Sequence, residues 1–172
     1  ILNQIYSTKS FVCSAVTFET LIALTKNGQP VVGVFHQPIL NEFLIGDNAQ
    51  TFLNDSVVKI KDVNNLNEAV LLTTDHLGIE EFQNLQKFEN LMRAVKLYRQ
   101  WGDCYGYYLV ASGFAQIMID PIMSVWDSMA LIPIINGAGG VITDYQGNDA
   151  VKGDSIVAST PNLHRKVIDI LN

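Results

Sequence analysis

The chain has no cluster of lysines and arginines. It carries 11 basic against 17 acidic residues over 172 positions, a formal charge of −6. That balance argues against nucleic acid and anionic membrane as main partners. An acidic protein still binds phosphate where metal ions or helix N-termini supply the positive field. Cysteine is nearly absent: Cys13 and Cys104 lie far apart and form no CxxC pair. Such usage suggests reduced thiols in a cytoplasmic protein. No apolar run is long enough to span a bilayer, and no signal peptide is visible. There is no GxSxG elbow, P-loop or dinucleotide-binding glycine pattern. His36, His76 and His164 are scattered, with no partner at metal-ligand spacing, and read as surface or structural residues. No internal repeat or low-complexity tract occurs.

What is present is apolar: 48% of residues are hydrophobic and only 16% charged. The chain is long enough for one domain with a real core. It opens on Ile1, and ILNQIYS reads as the middle or end of a strand, so residues upstream are expected.

Residues 18–60 read as antiparallel β structure. Two apolar runs are joined by Lys26-Asn27-Gly28-Gln29, where Asn-Gly tolerates the positive φ of a tight hairpin. Pro38 to Asn41 suggests a second turn, followed by short strands at Phe43–Ile45, Thr51–Leu53 and Val57–Ile60. The character changes near residue 63, dividing the chain into an antiparallel region (1–62) and an α/β region (63–172). Ala69–Thr73 reads as a strand. Apolar residues at helical spacing predict one helix over Ile79–Val95, and Val95–Tyr98 the next strand. Cys104–Ser112 reads as a helix with Asp103 as its N-cap and Gly113 ending it. Ala115–Ile119 is a strand, Val125–Asn136 a helix, and Val141–Thr143 and Ile156–Ala158 are strands. Pro161–Leu171 is a final helix, capped by Thr160 with Pro161 at its first position. Antiparallel sheet followed by alternating strands and helices gives a layered α/β (α+β) architecture.

Four places carry chemistry. Asp127 sits on the first turn of an apolar helix, where a carboxylate either favours the helix dipole or ligates a hard divalent cation. Asp120 ends a strand before Pro121; it is a turn residue or a substrate contact at a strand C-terminus. Gly102-Asp103-Cys104-Tyr105-Gly106-Tyr107-Tyr108 is a capped helix packed by tyrosines, or an entrance where Asp103 receives a cationic or hydroxylated ligand. Ser7 to Ser10 follows a strand, either as an ordinary capped turn or as hydroxyls and free N–H groups that hold phosphate.

Together these pieces resemble the inositol monophosphatase superfamily of magnesium-dependent phosphatases, and within it the histidinol-phosphatase type. The resemblance covers nearly the whole chain. It rests on GDCYGY at 102–107, LVASG at 109–113, Trp126-Asp127, Gly139-Gly140-Val141 with Thr143-Asp144, Thr73-Thr74-Asp75, and PVVGVFHQPILNE at 30–42. It implies an αβαβα sandwich of the inositol monophosphatase and fructose-bisphosphatase type that lacks its N-terminal segment. It further implies a cytoplasmic homodimer acting on a small phosphorylated metabolite with Mg2+, in histidine biosynthesis. Asp127 falls on the family's metal-ligating aspartate, with a catalytic role shared by Thr8. Asp120 falls on an acidic substrate-contacting position, and Gly102 and Asp103 on the substrate-recognition turn, where an acid suits a positively charged amino alcohol. Ser7 and Thr8 fall on the phosphate-binding turn, and Ile5 offers its backbone carbonyl to metal.

The family's Asp-Pro-Ile-Asp-Gly-Thr motif falls on Asn3-Gln4-Ile5-Tyr6-Ser7-Thr8, so both aspartates and the glycine are replaced. Asn3 offers one neutral carbonyl oxygen, and Tyr6 a phenol that stays neutral near pH 7. Asp127 alone cannot hold two or three ions. The resemblance therefore implies an impaired phosphomonoester hydrolase. The alternatives are a non-catalytic member that binds a ligand or partner, and an inositol-1-phosphate phosphatase.

Overall fold

The structure is a computed structural model and describes residues 1–172. Strands β1 (Leu2–Tyr6), β2 (Glu19–Lys26), β3 (Gln29–Gln37), β4 (Glu42–Gly46), β5 (Thr51–Leu53) and β6 (Ser56–Val58) form an antiparallel meander in sequential order. The β2–β3 hairpin closes at Asn27 and Gly28, whose φ values of 53° and 79° are those its turn requires. A short helix, α1 (Thr8–Val12), links β1 to β2.

The second sheet is mixed, with order β10-β11-β9-β7-β8. It is built from β7 (Val70–Thr73), β8 (Leu97–Arg99), β9 (Ile117–Asp120), β10 (Val141–Thr143) and β11 (Ile156–Ser159). Helices α4 (Asp103–Ala111) and α6 (Leu131–Gly137) lie between the sheets. Their core joins Leu21, Phe35 and Leu44 of the meander to Leu72, Met118 and Ile156 of the second sheet. Helices α2 (His76–Phe82), α3 (Leu85–Ala94) and α7 (Pro161–Leu171) cover the far side, where Phe88, Leu91, Leu163 and Val167 pack on Leu71, Ile117 and Val157. The layers run sheet, helix, sheet, helix. Gly33 lets the meander approach α6: a Cβ there would lie 1.9 Å from the Ala130 carbonyl oxygen. No helix is long and apolar enough to cross a membrane.

Three expected helices differ. The run at 79–95 is two helices, because the Asn84 side chain accepts the Lys87 N–H at 3.0 Å and starts a new one. The helix after Asp127 is also divided, into α5 (Val125–Ser128) and α6. Pro133 lacks the N–H that would bond Met129 four residues back. At α4 the cap is Gly102, while Asp103 is the first helical residue, at φ 52°. Thr160 does occupy the cap of α7, but its side chain makes no capping bond.

Candidate functional site

Strand β1 is bulged between Asn3 and Tyr6, a distortion that re-aims side chains. It brings Asn3 against α5, where Asn3 Nδ2 donates to Asp127 Oδ1 at 2.7 Å. Asp127 is held on the first turn of α5 by its N–H to the Ser124 carbonyl at 3.0 Å. Burial raises the Asp127 carboxyl above the usual range, and the Asn3 amide partly offsets it. Two residues 124 positions apart thus meet.

Tyr6 packs its ring on the central core. It lines, with Thr74, Gly78 and Asp120, a cavity of about 250 Å³. Burial first, then the charges of Cys104, Asp120, Asp127 and Asp103, push its phenol well above the ordinary value. Ser7 adopts the left-handed conformation at φ 67°. Its hydroxyl is turned inward and donates to Glu19 Oε2 at 3.1 Å. Glu19 is only 1% exposed, and its Oε1 has no partner. Burial lifts its carboxyl to about 8, so it is largely a neutral acid at pH 7. Thr8 is exposed at the start of α1, with its hydroxyl 3.4 Å from the Ile5 carbonyl.

The opposite wall comes from the second sheet and α4. Gly102 is pressed on the Thr73–Thr74 backbone, where a Cβ would lie 2.2 Å from Thr74 Cα. The Asp103 N–H donates to Thr74 Oγ1 at 2.7 Å, and Ser10 Oγ donates to Asp103 Oδ2 at 3.2 Å. Burial raises the Asp103 carboxyl, against the pull of Ser7, Ser10 and Lys9. Asp120 is buried at the end of β9. It accepts Tyr107 Oη at 2.9 Å and the Thr74 N–H at 3.3 Å, yet burial still lifts it to about 6. Between these walls lies a cavity of about 620 Å³, lined by Lys9, Ser10, Thr74, Trp101, Asp103 and Tyr105 among others.

The fold therefore collects Asn3, Tyr6, Ser7, Asp103, Asp120 and Asp127 in one region. Ion pairing does not hold it together: the one ion pair in the structure, Arg165–Asp169, lies on the exposed face of α7. Ser10, Thr74 and Tyr107, which lie within runs singled out in the sequence, join the region, and so does Glu19, to which sequence reading assigned no role. Glu19 was detectable in principle as the one acid opening an otherwise apolar strand. Residues 21–24 (LIAL) are apolar on both faces of the strand, however, so its inward face is not marked.

A magnesium ion needs several hard oxygen donors in near-octahedral array. No three His, Cys, Asp or Glu side chains gather closely enough to hold one. Asp127 is bonded to an amide N–H donor, and Asp120 to a phenol and a backbone N–H. The donor set as arranged does not fit Mg2+.

Comparison with known proteins decides the lineage. The description of the inositol monophosphatase family matches residues 5–172.

The chain belongs to the inositol monophosphatase family.

It is 32% identical to the histidinol-phosphatase of Chlorobaculum parvum, over 98% of this chain and 66% of that protein. It is 35% identical to the chloroplastic bifunctional phosphatase IMPL2 of Arabidopsis thaliana, over 99% of this chain and 52% of the plant protein. The chain thus spans from about half to two thirds of these relatives. The inositol monophosphatase of Zymomonas mobilis superposes with a TM-score of 0.91 at 28% identity, over 99% of this chain and 69% of that one. The two-sheet, interleaved-helix architecture is the family fold.

Proposed function

We propose that this chain is a histidinol-phosphatase-type member of the family that keeps the cleft for a small phosphorylated metabolite but is impaired in hydrolysing it. The observation that carries this is the 2.7 Å bond from Asn3 to Asp127. Where the family plan calls for two carboxylates around a cation, one position is a neutral amide that donates to the remaining carboxylate. Tyr6 adds a neutral ring where the second motif aspartate would stand.

The recognition half of the site supports retained binding. Lys9 gives the cavity one cation, and Asp75 and Asp103 give it carboxylates. That combination suits a ligand with a phosphate at one end and an ammonium group at the other. Relatives named histidinol-phosphatase occur in three bacteria at 30–32% identity. Magnesium dependence of the ancestral reaction, a cytoplasmic setting and a place in histidine biosynthesis belong to the same proposal. Thr8, Ser7, Gly102, Asp103 and Asp120 are its substrate-contacting set.

The test compares the chain with its Asn3→Asp, Tyr6→Asp, Ser7→Gly triple variant in saturating Mg2+, with histidinol phosphate and inositol 1-phosphate. The chain is expected to bind histidinol phosphate in calorimetry and release phosphate near background. The triple variant should release it faster by two orders of magnitude or more, since metal supplies several kcal/mol of transition-state stabilisation. Rapid magnesium-dependent release by the unmodified chain would overturn the impairment. Absence of binding to either ester would overturn the ligand assignment.

A further inference from the structure

The large cleft has one apolar wall. Its hydrophobic lining residues are Trp101, Tyr105 and Leu109. Tyr105 and Leu109 lie one turn apart on the same face of α4, and Trp101 just precedes that helix. Both aromatic rings are held from behind. Tyr105 stacks on Tyr108 at 4.9 Å between centroids, and Tyr108 stacks in turn on Phe35 at 5.6 Å. Tyr108 Oη donates to Glu42 at 2.6 Å and fixes that middle ring. The Arg99 guanidinium lies 6.0 Å from the Trp101 ring centroid and donates to the Tyr98 carbonyl at 2.7 Å. Arg99 is not part of the cleft lining, so it braces the indole from outside the cleft. Gly102, pressed on the Thr74 backbone, fixes the chain immediately after Trp101. The indole is nevertheless 54% exposed. It is a large, braced aromatic side chain at a charged cleft, and the hydrolytic chemistry proposed above gives it no task.

We propose that Trp101 and Tyr105 form a stacking wall that selects a ligand carrying a flat, unsaturated ring over one carrying a polyhydroxylated ring. This rests on the reading of the cleft as the site of a small phosphorylated metabolite. Lys9 suits a phosphate, and Asp75 and Asp103 suit an ammonium group. Those charges bind the ends of a ligand but do not distinguish one ring from another. The wall does. A planar heterocycle stacks on an aromatic face and keeps its hydrogen-bonding edge free for the polar side of the cleft. A saturated ring with a hydroxyl on every carbon has no such face. Hydroxyls turned toward the wall lose their water and gain no equivalent partner. Because both aromatic rings are already braced, little side-chain freedom is lost when the ligand enters. Histidinol phosphate, with its imidazole, meets this requirement, and inositol 1-phosphate does not.

The test compares the full 172-residue chain with Trp101→Leu and Trp101→Phe. Position 101 is exposed, and circular dichroism checks that both variants fold. Calorimetry measures the affinity for histidinol phosphate and inositol 1-phosphate. Trp101→Leu should weaken histidinol phosphate roughly tenfold and leave inositol 1-phosphate within about twofold. Trp101→Phe keeps a π face and should restore most of the difference. Tryptophan emission gives a second measurement, with histidinol and inositol as probes that carry no phosphate. Histidinol should change the emission saturably in the parent chain and leave Trp101→Phe unmoved, where Trp126 is the remaining indole. Inositol should change neither. Equal weakening of both esters by Trp101→Leu, or of neither, overturns the inference while the phosphorylated-metabolite reading stands. If neither ester binds but histidinol still saturates the Trp101 signal, that reading fails and the wall stands. A quench that rises linearly without saturating, as random collision gives, overturns the wall.

Discussion

Asn3 Nδ2 lies 2.7 Å from Asp127 Oδ1, across the gap between the bulged first strand and the first turn of α5. An amide and a carboxylate at that distance are a satisfied pair that needs no cation. Two carboxylates there would repel unless a cation joined them.

Asn3→Asp alone should therefore be destabilising in metal-free buffer, and the loss should depend on pH. Both groups are only partly buried, so solvent limits the cost to about 1–2 kcal/mol. It should be largest at pH 7–8 and shrink as the pH falls and one of the pair takes up a proton. Manganese or magnesium should restore the melting temperature of the variant while leaving the parent chain unmoved. Thermal melts across that pH range, with and without the ion, measure this. A parent chain stabilised as much as the variant would count against the reading.

Much of this site was legible before any coordinates. Gly102-Asp103 and Trp126-Asp127 are local strings, each setting a turn and a helix start, and local strings survive in sequence. The positions aligned on the family motif placed Asn3 beside Asp127, and the structure brings them into contact. The less legible features are those decided by packing. Pro133 divides α5 from α6, and Asn84 divides α2 from α3, because each residue's own hydrogen-bond chemistry outweighs an unbroken apolar period. Glu19 was hidden because its strand is apolar on both faces, one toward the core and one toward the open side of the meander.

Glu19 should govern the pH dependence of stability above neutrality. Its folded-state value is raised to about 8 from an ordinary carboxyl near 4.5. The folded state then holds the proton more tightly than the unfolded chain. The resulting stabilisation is complete below pH 4.5 and is lost as pH rises through 8. Asp120, raised to about 6, adds a loss of the same sign that is finished by that pH. His164, lowered to about 4 by burial between Thr143 and Ser159, works the other way, losing stability as pH falls below 6.5. Glu19 dominates the window from pH 6.5 to 8. Stability should fall there by about 1–2 kcal/mol, and urea titrations of Glu19→Gln should show a much shallower profile. A parent chain equally stable at both ends would refute the assignment.

Gly102→Ala should be among the costliest single changes in the chain. The added methyl would stand 2.2 Å from Thr74 Cα and 2.5 Å from its nitrogen, which are backbone atoms with no rotamer to yield. Relief requires moving the start of α4 off β7, which breaks the 2.7 Å bond from the Asp103 N–H to Thr74. A loss of about 2–4 kcal/mol is expected, with ligand affinity falling at the same time. Gly139→Ala is a useful contrast, because nothing lies within 4 Å of a Cβ there and only its positive φ of 86° opposes the change. It should cost about 1 kcal/mol and leave the cleft unaffected.

Ser7 and Glu19 should be coupled strongly enough to reverse the sign of a mutation. Ser7 is strained at φ 67°, so glycine there relieves about 1 kcal/mol. Its hydroxyl is also the hydrogen-bond partner of a carboxyl whose other oxygen has none. Losing that bond costs about 1–3 kcal/mol in a buried setting. Ser7→Gly alone should therefore destabilise. In a Glu19→Leu background, where no buried acceptor remains to be stranded, the same change should stabilise. Denaturant unfolding of the four members of this cycle gives the interaction directly, with an expected coupling of about 1–3 kcal/mol. Equal effects of Ser7→Gly in both backgrounds would show that the hydroxyl does not support Glu19, and that backbone strain alone sets the cost of serine at this turn.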